Sequence, residues 1–160
     1  MTSNDPPEIL IALGANMPSR AGLPAETLKA ALNALGEAGV TVLKVSSFIE
    51  TVSWPNPADP PFTNAVAAVQ TDLEPLALLE LLHAIETDFG RVRSHVNAPR
   101  PLDLDLLAHG DTIRTGAELS LPHPLMARRH FVLEPLVEIA PDWRHPVTGL
   151  TAGEMLARLP

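Results

Sequence analysis

The segment Leu102-Asp103-Leu104-Asp105-Leu106-Leu107 constrains the fold more than any other stretch of the chain. Its leucines at 102, 104 and 106 alternate with the two aspartates, which is the two-residue period of a strand. Asp103 and Asp105 then project from one face, about 7 Å apart at the backbone. Two carboxylates that close repel unless something positive stands between them. A divalent cation meets that need, since Mg²⁺ is held by one or two carboxylates together with substrate phosphates. For a bare D-x-D, a solvated acidic face on an edge strand is the competing reading, and the surroundings of the segment bear on the choice.

Those surroundings are basic in an acidic chain. There are 11 Lys and Arg against 19 Asp and Glu, a net charge of -8. Yet Arg91, Arg93 and Arg100 crowd the approach to the acidic strand, and Arg128 and Arg129 form a second pair. A guanidinium binds phosphate through a planar fork that makes two hydrogen bonds at once. Arginines beside paired acids therefore suggest a polyphosphate held by metal and guanidinium together. Taken singly, each arginine is an ordinary surface charge.

The 160 residues lead us to expect a single domain spanning 1–160, and an apolar content of 46% is enough for a core. The absence of cysteine excludes disulfides and thiolate metal sites. Six histidines without H-x-x-x-H spacing argue against zinc. Met1 to Pro7 is polar, with no basic segment leading into an apolar run, and no stretch approaches the roughly 20 apolar residues of a membrane span. A cytoplasmic protein without membrane attachment is expected. The acidic balance argues against nucleic acid as a partner.

Along the chain, Ile9 to Leu13 reads as a buried strand that turns at Gly14-Ala15-Asn16. Pro24 opens a helix with Leu28, Leu32 and Leu35 on one face, closed by Gly36 or Gly39. Val40 to Ile49 is β-branched and reads as a second strand. The prolines at 55, 57, 60 and 61 make Trp54 to Pro61 a loop. Asn64 to Thr71 reads as a third strand. Pro75 opens a helix striped by Leu78, Leu82, Ile85 and Phe89 and ended by Gly90. After the polar loop from Arg91 to Pro99 comes the acidic strand, Leu102 to Ala108. The order β-α-β-β-α-β predicts an α+β, ferredoxin-like core, an antiparallel sheet with helices on it. Gly110 to Pro160 is a C-terminal extension with a final helix from Thr151 to Leu159.

Several motifs in order carry a resemblance. They are Leu13-Gly14-Ala15-Asn16; Ser46-Ser47-Phe48 with Thr51; Phe62-Thr63-Asn64; Gly90-Arg91-Val92-Arg93; Pro99-Arg100-Pro101-Leu102-Asp103-Leu104-Asp105; and Leu121-Pro122-His123-Pro124 with Met126, Arg129 and Phe131. With Pro135 to Pro141, the chain resembles the 6-hydroxymethyl-7,8-dihydropterin pyrophosphokinases of folate biosynthesis from Ile9 to about Thr148. The resemblance implies transfer of pyrophosphate from ATP to the hydroxymethyl group of a reduced pterin, with release of AMP.

It also implies roles. Asp103 and Asp105 would hold a pair of Mg²⁺ ions on the ATP phosphates, and Arg91 and Arg100 would be catalytic. ATP would meet His83, Glu86, Arg93, Ser120, His123 and Arg129. Thr51, Phe62, Asn64 and Phe131 would bind the pterin, the two phenylalanines by stacking and Asn64 at the ring edge. His83 and Glu86 sit three apart on the long helix, away from its leucine stripe, where a solvated face is the ordinary reading. Family members often carry tryptophan where Asn97-Ala98 stands, proline at Val52 and arginine at Glu118. A monomer is expected. The residues alone leave two other classes open. One is a different Mg²⁺-dependent phosphoryl or nucleotidyl transferase. The other is a non-catalytic ligand-binding module on the same scaffold.

Overall fold

The computed structural model describes residues 8–52, 56–91 and 101–160. Arg93 and Arg100 lie outside the described residues, as does most of the loop expected between Arg91 and Pro99. The elements are β1 (Ile9–Ala15), α1 (Pro24–Glu37), β2 (Thr41–Val45), β3 (Ile49–Thr51), β4 (Phe62–Gln70), α2 (Pro75–Asp88), β5 (Asp103–His109), α3 (His130–Ile139) and α4 (Ala152–Ala157). A short 3₁₀ turn at Met126–Arg128 leads into α3.

The sheet runs β2-β4-β1-β5, with β3 also on β4, and every pairing is antiparallel. With β2 and β3 taken as one interrupted edge strand, this is the expected ferredoxin-like order. The strand expected from Val40 to Ile49 is thus two short ones. The interruption has a physical cause at Ser46 and Ser47. The Ser46 hydroxyl accepts the Val66 N–H at 2.9 Å. The Ser47 N–H is turned away from the ladder onto the Glu138 carboxylate, at 2.8 and 3.1 Å from its two oxygens.

Alternation along β1 and β4 divides the core between two faces. Ile9, Ile11, Leu13, Ala65, Ala67 and Val69 meet Leu28 and Leu35 of α1 and Leu78, Leu82 and Ile85 of α2. Leu104 and Leu106 of β5 join that face, so the acidic strand is buried on its leucine side. Prolines open both helices, and both end before a left-handed glycine, Gly39 at φ +91° and Gly90 at φ +96°. Gly36 lies within α1, so Gly39 performs the closing role.

The opposite face carries Leu10, Val66, Ala68 and Leu107, and here the C-terminal extension forms a layer of its own. Val132, Leu133, Leu136 and Ile139 of α3 and Ala152 and Met155 of α4 pack on it. The register of β5 against β1 shifts between Leu10 and Ile11, which lets the adjacent Leu107 and Ala108 both join this layer. Helix α3 has no counterpart in the sequence reading. Pro135 lies inside it, and an interior proline loses a backbone bond and argues against a helix. Burial of one continuous apolar face overrides that local signal. The final helix is found, six residues long, with a reciprocal capping box between Thr151 and Glu154.

If the second layer holds the cleft together, Leu133→Ala should destabilise the protein by about 2–5 kcal/mol. Thr151→Ala, which removes only a cap, should cost about 1 kcal/mol. Urea unfolding of both variants checks this. Equal, small losses would show that α3 contributes little.

Candidate active site

The acidic strand places its carboxylates on the C-terminal-extension side of the sheet. Strand register pairs Asp103 with Gly14, Gly14 with Asn64, and Asn64 with Ile49. The next inward row is Asp105, Ala12 and Val66. Residues paired across strands share a face, so Asp103, Asp105 and Asn64 look out on the same side. Phe62 and its partner Thr51 lie two residues further along that face. Gly14 is the floor between them. A Cβ there would stand 3.1 Å from Asn64 Oδ1 and 3.8 Å from the Phe62 ring.

Helix α3 covers the inner part of this face, and its first turn brings Arg129 and Phe131 over the outer part. A cleft of about 730 Å³ lies beneath, lined by Gly14, Thr51, Phe62, Asn64, Phe131 and others. Asn64 Nδ2 donates to the Thr51 hydroxyl at 2.8 Å, which sets the amide and leaves Oδ1 on the Gly14 side. A second, more polar cavity of about 390 Å³ adjoins it, lined by His83, Arg91, Ser120, His123 and others. Asp103, Asp105 and Arg129 line both. The paired acids therefore stand on the wall between an aromatic lobe and a polar one, which Glu118 also lines.

The charges on that wall are tightly arranged. Arg91 Nη1 donates to Asp103 Oδ1 at 2.6 Å and to Glu86 Oε2 at 2.7 Å. Glu86 is 1% exposed and its Oε2 also accepts the Leu104 N–H at 2.7 Å. It is therefore buried against β5, not part of a solvated helix face. Burial opposes the charge on Arg91, but Asp103 and Glu86 outweigh it and raise its pKa further. Arg129 Nη1 stands 3.8 Å from Asp105 Oδ2. Burial, and then the charge on Asp103, push the Asp105 carboxyl up to about 7, with Arg129 pulling the other way. About a third of the Asp105 side chain is still open to the cleft, which tempers the effect.

His123 accepts the Leu125 N–H on Nδ1 at 3.1 Å. Burial, then the nearby Arg129, lower its pKa below the ordinary histidine value. A neutral ring with Nδ1 so engaged carries its proton on Nε2. Of the residues expected to act, Arg91, Asp103, Asp105, His83, Ser120, His123 and Arg129 line the polar lobe, and Thr51, Phe62, Asn64 and Phe131 the aromatic one. Glu86 lies behind the wall. Gly14 and His130 were assigned no role from the sequence, although Gly14 belongs to a motif quoted there.

Comparison with known proteins gives the family. The family model described as 7,8-dihydro-6-hydroxymethylpterin-pyrophosphokinase (HPPK) matches residues 10–141. The chain belongs to the HPPK family. A 2-amino-4-hydroxy-6-hydroxymethyldihydropteridine pyrophosphokinase of Pseudomonas aeruginosa is 42% identical over 153 residues, 95% of this chain and 91% of that protein. The Synechocystis enzyme of the same name is 38% identical over 151 residues, 94% of this chain and 75% of its own length. A Pneumocystis carinii folic acid synthesis protein is 36% identical over 157 residues, 98% of this chain but 21% of that longer protein. Among solved structures, an HPPK-DHPS in complex with substrates shares the fold, with a TM-score of 0.69 at 14% identity. That match covers 96% of this chain and 43% of the other. Among the described residues of this family member, no helix is long and apolar enough to cross a membrane.

The raised Asp105 carboxyl has a measurable sign. Its folded pKa lies above the unfolded value of about 4, so between about pH 4 and 7 the folded state keeps a proton that the unfolded state releases. The stability it contributes is full below that window and lost as pH rises through it. In EDTA, Asp105→Asn should therefore gain thermal stability over wild type, and gain more at pH 8 than at pH 5. The same difference at both pH values would contradict this account of the acid pair.

Proposed function

We propose that the two-lobed cleft is where this chain transfers pyrophosphate from ATP to 6-hydroxymethyl-7,8-dihydropterin, releasing AMP, with the acid pair between the two substrates. The observation that carries this reading is the shared wall: Asp103, Asp105 and Arg129 border both lobes. A bisubstrate transfer needs its acceptor and donor on opposite sides of the groups that stabilise the moving charge.

The pterin ring occupies the aromatic lobe between Phe62 and Phe131. Such a flat, polar-edged ring suits aromatic faces with a few placed polar groups. Thr51 holds the Asn64 amide so that its Oδ1 meets the ring edge. The triphosphate occupies the polar lobe, where Arg91, Arg129, Ser120, His83 and the Nε2–H of His123 face it. Arg93 and Arg100, by the family resemblance, add positive charge over the phosphates. The hydroxymethyl oxygen attacks the β-phosphorus, the bond from that phosphorus to the α,β-bridging oxygen breaks, AMP leaves, and the hydroxyl proton is lost.

The acid pair suits a pair of Mg²⁺ ions completed by substrate. Among the described residues no three His, Asp or Glu side chains converge as a cage. Two carboxylates that open on the cleft and repel each other instead fit ions whose remaining ligands are phosphate oxygens and water. When bound, such ions neutralise charge on the phosphoryl oxygens. The reading is of a monomer of one domain, working in the cytoplasm where ATP is available.

Incubation with Mg²⁺-ATP and the hydroxymethyl pterin, followed by separation of nucleotides, tests the reading. AMP should appear only when the pterin is present, and Asp103→Ala or Asp105→Ala should nearly abolish it while the fold survives. ADP as the sole nucleotide product would overturn the assignment.

A further inference from the structure

We infer that Glu86 is a positioning residue that keeps Arg91 in the cleft when a cation takes Asp103 away from it. The inference rests on the reading of the cleft above. The family resemblance groups Glu86 with the nucleotide contacts, but the carboxylate is 1% exposed and backs onto β5. One oxygen, Oε2, accepts from both the Arg91 guanidinium and the Leu104 N–H, each at 2.7 Å. Leu104 is the residue between the two acids. Glu86 therefore ties α2, the start of the arginine loop and the middle of the acidic strand into one joint.

The arrangement answers a problem in the chemistry. Arg91 uses the same Nη1 on Asp103, at 2.6 Å, that it uses on Glu86. With Asp103 as its main partner, a guanidinium would be set free each time a cation claimed that carboxylate. Its side chain is 13% exposed, and a charge so enclosed is costly to leave without a partner. Glu86 carries no share of the cation site and stays in place. Arg91 then exchanges Asp103 for a phosphate oxygen by turning about a fixed anchor, and its side chain remains ordered. Glu86 also fixes the Leu104 amide, and so the spacing of Asp103 and Asp105 on either side of it.

A kinetic cycle tests this with wild type, Glu86→Gln, Arg91→Met and the double variant, together with Mg²⁺-ATP binding by calorimetry. Glutamine keeps the shape and one acceptor but removes the charge. Glu86→Gln should lower kcat about 10- to 100-fold, the scale for losing a group that orients an active one. Mg²⁺-ATP affinity should stay within about threefold, because the nucleotide is not touched. In the Arg91→Met background the same change should lower kcat no further, since the two act as one unit. Three outcomes would overturn the inference: multiplicative losses in the cycle, a lost ATP affinity with kcat intact, or a wild-type rate for Glu86→Gln. If Glu86→Gln fails to fold, Glu86→Asp, which keeps the charge and withdraws it by one methylene, is read in the same cycle. Failure of wild type to make pterin-dependent AMP would instead sink the assignment of the reaction.

Discussion

Antiparallel pairing of β1 with β4 on one side and β5 on the other is the constraint on which the cleft depends. Because side chains alternate along a strand, that register decides which residues share a face. It puts Asp103 across from Gly14 and Gly14 across from Asn64. A slip of one residue between β1 and β5 would turn the acids into the leucine core, and one between β1 and β4 would do the same to Asn64. The leucines at 102, 104 and 106, all 2% exposed or less, oppose any such slip. Burial of one side of β5 is thus what holds the chemistry on the other.

The electrostatics follow from that geometry. Two acids forced onto one face repel, and among the described residues Arg91 at Asp103 and Arg129 near Asp105 oppose that repulsion. Asp105 retains an affinity for protons well above that of an ordinary carboxylate. An acid pair open to a polar lobe on one side and an aromatic lobe on the other is suited to bringing a polyphosphate, with its cations, and a flat acceptor together. The enclosing layer comes from α3, whose first turn delivers Arg129 and Phe131.

Much of this is legible in the sequence, and the exceptions have causes. The acid strand, the two proline-opened helices and the sheet order follow from periodicity and punctuation. The aromatic and basic residues were placed by family motifs, which periodicity alone does not supply. Helix α3 was hidden because Pro135 argues locally against a helix, and only packing on the far face of the sheet outweighs it. The edge strand was read as continuous because the bonds from Ser46 to Val66 and from Ser47 to Glu138 are long-range and leave no local signal. The family resemblance groups Glu86 with the nucleotide contacts, and the ordinary reading of a charged residue off an apolar stripe is a solvated one; neither anticipates a carboxylate that is 1% exposed. Its burial depends on Arg91 and Leu104, which arrive from elsewhere in the chain. Gly14 was visible as a motif but not as a floor, since that role needs Asn64 and Phe62 beside it.

The central claim, that Asp103 and Asp105 form a shared cation wall between two substrates, is tested most directly by anomalous scattering. Crystals grown with Mn²⁺, a non-hydrolysable ATP analogue and a pterin should show manganese at coordination distance from both carboxylates. The triphosphate should lie on the His123 side and the ring between Phe62 and Phe131. Manganese bound away from both aspartates, or both ligands in the same lobe, would contradict the account.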